Sequence, residues 1–230
     1  MLSSILSGDV ISIVSLLLQI PIILLSLSMH EAAHGYVAWK MGDPTARNLG
    51  RITLNPIKHL DPFGALCMLL AGYGWAKPVP INTRNFNNPK KGMALTALAG
   101  PMSNLMLALI FMLCRVLFIV GVSVTDVIQG EKALLVWAVF NTFFYMGVYL
   151  NVSLAVFNLI PIPPFDGSRI FLVFLPPKIY FGIMKYERFI LLATLVLLYL
   201  GIFSFPIEFI TDIVISLFDE LAYLITGMFI

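Results

Sequence analysis

Cysteine is almost missing from this sequence: Cys67 and Cys114 are the only two in 230 residues, with no CxxC spacing. That excludes a thiolate metal site and a disulfide framework, so any bound metal must rest on nitrogen and oxygen donors. Charge is scarce as well. Charged residues make up 11% of the chain and apolar residues 60%, where a soluble domain carries about 25% charged residues. The net charge of +2 and the lack of any basic run exclude the electrostatic footprint of a nucleic-acid partner. No Lys or Arg occurs before Lys40, so the basic n-region of a secretory signal is missing and the N-terminus is expected to be a retained membrane segment. There are no internal repeats, low-complexity tracts or polar stretches long enough for an inserted soluble domain.

What remains is apolar runs and the breaks between them. Residues 10–39 exceed the roughly 20 that a helical span needs, with Pro21 expected to kink the helix or begin a new one. Residues 93–120, 133–160 and 189–203 predict three more spans, and 207–230, with four acidic residues, fits either a span or a helix in the interface. The run 62–75 is too short to cross and too apolar for an ordinary loop, so a re-entrant or β-hairpin element is expected there. The fold class is thus an all-α polytopic membrane protein of about 4–6 transmembrane helices. One membrane-embedded domain, 1–230, is expected, with a catalytic core over about 10–170 and C-terminal helices over 186–230. Basic residues concentrate in 40–91 (Lys40, Arg47, Arg51, Lys58, Lys77, Arg84, Lys90, Lys91) and 168–188, against Lys132 alone in 121–132. Basic loops stay cytosolic, which puts the C-terminal ends of the first and third spans near the cytosolic face.

Two of the three histidines fall in Met29-His30-Glu31-Ala32-Ala33-His34, an HExxH pattern within the first span. Residues four apart share a helix face, so two imidazoles can hold one zinc ion while Glu31 reaches an attacking water as base. Simple packing of these groups in a bundle competes poorly, because each charge at the membrane centre costs about 2.5–3.5 kcal/mol. A catalytic zinc takes three protein ligands and keeps one open position. The best-placed third ligand is Asp166, at a span's cytosolic end in Asn158-Leu159-Ile160-Pro161-Ile162-Pro163-Pro164-Phe165-Asp166-Gly167. Taken alone, Asp-Gly would read as a turn; beside an HExxH helix lacking a third ligand it reads as metal-binding.

The chain resembles the site-2 protease family of intramembrane zinc metalloproteases, in its compact bacterial or archaeal form. The resemblance runs from about Leu27 to Arg169. It is carried by the HExxH segment, Gly42-Asp43-Pro44, Gly50-Arg51-Ile52-Thr53-Leu54-Asn55-Pro56, His59-Leu60-Asp61-Pro62, Trp75-Ala76-Lys77-Pro78-Val79-Pro80-Ile81-Asn82, Gly100-Pro101-Met102-Ser103-Asn104 and the 157–167 run. It implies one Zn2+ per chain on His30, His34 and Asp166, with Glu31 as base. It also implies cleavage of transmembrane substrates near the cytosolic face; single-span membrane proteins and membrane lipid are the expected partners, and the plasma membrane the expected location. The PDZ insert and nucleotide-sensing C-terminal domain of some members are not expected here, and Phe165 stands where Leu is common.

Asn158 has two readings, a catalytic amide that stabilises the oxyanion or a helix-end cap. Asn104 is expected to be architectural, satisfying backbone freed by Pro101. His59 is placed in a polar-side loop, outside the site. The 62–82 element is expected to pair with an unwound substrate strand. The competing function is a divalent-metal transporter or sensor, which needs no Glu beside its first histidine and usually shows repeat symmetry. A proteolytically dead, chaperone-like relative is opposed by the intact motif.

Overall fold

The computed structural model describes residues 10–64, 76–125 and 130–229. Its principal elements are helices: α1 (Val10–Lys40), α2 (Thr45–Asn48), α3 (Pro89–Thr125), α4 (Glu131–Asn158), α5 (Asp166–Phe171), α6 (Pro177–Lys185), α7 (Glu187–Tyr199) and α8 (Ser204–Thr226). Three of them, α1, α3 and α4, are long and apolar enough to cross a membrane, and the chain is a multi-pass membrane protein. At about 1.5 Å per residue, the 31-residue α1 reaches about 46 Å. It runs unbroken through Pro21, so the expected new helix start is not found.

Helix α3 lies at the centre, packed against α1, α4 and α5. Its start follows local chemistry: the Asn88 side chain accepts from Lys91 N–H at 3.1 Å, and Pro89 takes the first helical position, where a missing N–H costs nothing. Leu107, Ala108, Phe111, Met112 and Val116 of α3 meet Ile22 of α1, Val148, Val152 and Val156 of α4, and Ile215 of α8 in one buried cluster. Gly147 makes the α3–α4 contact possible, since a Cβ there would overlap the Phe111 ring. Outward-facing Leu17, Leu117 and Leu135 remain more than half exposed, an apolar exterior suited to lipid rather than water.

In the C-terminal part, helices lie over both expected segments, and the first is short. Helix α7 has 13 residues, about 20 Å of helix, short of the ~30 Å hydrocarbon core. It is closed by Gly201 at φ +74°, with Ile202 N–H returned to Leu197 O at 3.1 Å. Helix α8 packs along the bundle: Val214, Phe218, Ala222 and Ile225 sit against the central cluster, and Asp219 lies 3.5 Å from Arg115 of α3. Most of the expected hairpin, residues 65–75, lies outside the described residues. Its flanks approach each other through an isolated antiparallel bridge, Leu60 with Ala76, and Lys77 N–H donates to His59 O at 2.8 Å.

Candidate metal centre

The HExxH turn lies in the last third of α1 and presents its two imidazoles to α3 and to the start of α5. His30 Nε2 and His34 Nε2 are 3.0 Å apart, their rings nearly perpendicular at 89°. Both residues are buried. Asp166, the first residue of α5, brings Oδ2 to 3.1 Å from His30 Nε2 and 3.2 Å from His34 Nε2. The turn that delivers it depends on Gly167, where a Cβ would collide with the carbonyl of Leu159, and on Ser168, whose Oγ donates to Phe165 O at 2.7 Å.

The ring protons are placed by their partners. His34 Nδ1 lies 2.7 Å from Thr96 O, a carbonyl that only accepts, so Nδ1 carries the hydrogen and Nε2 offers a lone pair. His30 Nδ1 lies 2.6 Å from Asn104 Oδ1. The three atoms that face one another are therefore all electron-pair donors, and Asp166 Oδ2 is buried without a hydrogen-bond partner among the described residues. Such a cluster calls for a cation at its centre. Zinc bonds of ~2.0–2.1 Å in a tetrahedron place ligand atoms about 3.3 Å apart, close to the separations observed, and two nitrogens with one oxygen form a set that leaves the fourth position open.

Space for the pair comes from Gly100 on α3. A Cβ there would lie 2.5 Å from His30 Cε1 and from both Cε1 and Nε2 of His34. Glu31 stands at the edge of the cluster, and its Oε2 accepts from Val79 N–H at 2.8 Å. The 76–82 segment carrying Val79 is tied down at both ends. Arg51 donates to Lys77 O at 2.7 Å and to Pro78 O at 3.3 Å. Asn82 N–H donates to Asp43 at 2.6 Å. Asp43 is fully buried and also accepts from Thr45 N–H, Thr45 Oγ1–H and Asn85 Nδ2–H. Burial pushes its carboxyl up, yet these donors outweigh burial and hold it below the ordinary range.

His30, His34 and Asp166 are brought together, with Glu31 beside them. Asn158 is not turned to the cluster: its amide donates to Leu154 O of its own helix at 2.9 Å, the helix-end arrangement. His59 lies apart from the three and is buried, donating Nε2–H to Thr53 O at 2.8 Å. Asn104, read from sequence as architectural, touches His30 directly. Asn151, which the spacing of motifs does not mark, lies behind it at 3.0 Å. Their signal was an amide in the middle of an apolar run, a group with no solvent to bond.

The sequence profile described as Peptidase family M50 matches residues 19–202. A Bacillus subtilis protein, YwhC, provisionally named a zinc metalloprotease, is 43% identical over 180 residues, covering 76% of this chain and 77% of the relative. Rip2 of Mycobacterium tuberculosis, provisionally named likewise, is 30% identical over 185 residues. That match covers 76% of this chain, which spans only 63% of the length of the mycobacterial relative. No solved structure matches.

Proposed function

The chain belongs to peptidase family M50, the site-2 proteases, and from that premise we propose that this zinc metallopeptidase cleaves transmembrane segments of single-span membrane proteins near the cytosolic face. The observation that carries the proposal is the trio of buried donor atoms, 3.0–3.2 Å apart, between helices long and apolar enough to span a bilayer. The cytosolic assignment is supported by Lys40, Arg47 and Arg51, which follow the metal-site end of α1.

His30, His34 and Asp166 would hold the ion. When bound, zinc supplies Lewis acidity and lowers the pKa of water from about 15.7 towards 7. Glu31 takes the proton of the attacking water and returns it to the departing amine. Val79 N–H aims the Glu31 carboxylate, while Arg51 and Asp43 hold the segment that carries it. A helical substrate hides its peptide groups in its own hydrogen bonds, so it must unwind to be cut. The extended run from Ala76 to Asn82 offers a place for that strand, and substrate pairing there follows the β-addition mode. An oxyanion role for Asn158 requires its amide to leave Leu154 O.

The test is cleavage of a panel of single-span transmembrane segments by the purified chain in detergent, with cut sites mapped by mass spectrometry. The expected cuts fall inside the apolar segment, towards its cytosolic end, and a zinc chelator abolishes them. Cuts confined to flanking soluble loops would overturn the intramembrane reading.

A further inference from the structure

We propose that Asn104 and Asn151 are positioning residues of the metal centre, forming a directional amide relay that fixes the tautomer and orientation of His30. The inference rests on reading His30, His34 and Asp166 as the zinc site, and adds two residues that touch neither zinc nor substrate.

The relay is anchored at a carbonyl. Asn151 Nδ2 donates to Gly147 O at 2.8 Å, and a carbonyl can only accept, so the other end of the Asn151 amide must be its oxygen. That oxygen accepts from Asn104 Nδ2 at 3.0 Å. Asn104 Nδ2 has a second acceptor in Ser26 O at 3.3 Å, which fixes the same orientation independently. Asn104 Oδ1 is left facing His30 Nδ1 at 2.6 Å, and only a protonated Nδ1 can complete that contact. His30 Nε2 is thereby kept as a lone pair directed at His34 Nε2 and Asp166 Oδ2. Both asparagines are fully buried, so water cannot substitute for a missing partner.

The two histidines are held differently. His34 is fixed by a main-chain carbonyl, Thr96 O, which no substitution removes. His30 depends on side chains from two other helices, α3 and α4, which makes it the ligand whose geometry is open to mutation. Partners behind a metal-bound imidazole typically change metal affinity by about 10–100-fold when removed.

The experiment uses the full chain in detergent, with zinc affinity measured by chelator competition and ring tautomers by 15N NMR of histidine-labelled protein. Only three histidines contribute. In the wild type, His30 is expected as the Nδ1–H tautomer. Asn104→Leu should lower zinc affinity about 10–100-fold and broaden or shift the His30 Nδ1 signal while leaving His34 unchanged. Asn151→Leu should lower affinity less, and the double variant should match Asn104→Leu alone, because Asn151 acts through Asn104. A wild-type His30 carrying its proton on Nε2 would overturn the relay, and needs no variant to fold. Wild-type zinc affinity in Asn104→Leu would overturn it too, as would losses that simply add in the double variant. A wild-type chain that binds no zinc would instead sink the metal-site reading, so the two failures are distinguishable.

Discussion

Glu31 Oε2 accepts a hydrogen bond from the backbone N–H of Val79 at 2.8 Å, joining residues 48 positions apart. One end is the second residue of the HExxH turn. The other belongs to the extended segment proposed to receive substrate. The proposed base and the proposed substrate edge are therefore held together by a direct hydrogen bond.

Val79→Pro removes that N–H and exchanges the buried Val79 side chain for a ring of similar size, at a position already flanked by Pro78 and Pro80. A hydrogen bond to a charged group contributes about 1.5–3 kcal/mol, so kcat should fall about tenfold or more while zinc content stays at wild type. Rate and zinc measured on the same preparation check this. An unchanged rate would mean that the amide does not aim the carboxylate.

Gly100→Ala tests the close approach of α3 to the two imidazoles. Alanine is the better helix former by about 1 kcal/mol, so helix content should be retained. The added Cβ, 2.5 Å from atoms of both rings, should push them apart and abolish zinc retention. Circular dichroism beside elemental analysis separates the two effects. Full zinc occupancy in this variant would show that the rings can shift without losing the site.

The buried Asp43 gives a pH test of the segment's anchor. Its carboxyl is held below the ordinary range in the folded chain, so its contribution to stability is complete above an unfolded pKa of about 3.9. The contribution is lost as pH falls through the lower folded value. Asp43→Asn should destabilise the chain by about 1–3 kcal/mol at pH 7, with the gap from wild type closing below about pH 4. Thermal melts of both proteins across pH check the sign. A gap that widens on acidification would contradict it.

The convergence of His30, His34 and Asp166 was legible because its information is local. Two histidines four residues apart must share a helix face, and Asp166 is the acidic residue in a proline-rich break at a span's end. Helices α1, α3 and α4 were legible from their length alone. The contact of Asn104 with His30 was not legible because sequence shows only that an amide lies after Gly100-Pro101. That His30 Nδ1 waits on the other side is a fact of α1–α3 packing. Asn158 stayed ambiguous for the same reason, and its bond to Leu154 O is a choice among rotamers that no spacing encodes. The end of α7 was misjudged because apolar composition continues past Tyr199, whereas the helix is closed by the backbone turn at Gly201.

The most direct test of the account pairs zinc stoichiometry with cleavage rate in Glu31→Gln and Asp166→Asn. In the proposed mechanism Glu31 is a base and not a ligand, so Glu31→Gln should keep about one zinc per chain while turnover falls about 10²–10⁴-fold. Asp166→Asn removes a charged ligand and should lose zinc and activity together. Glu31→Gln cleaving at the wild-type rate with zinc in place would contradict the hydrolytic mechanism and move the metal-transport reading ahead.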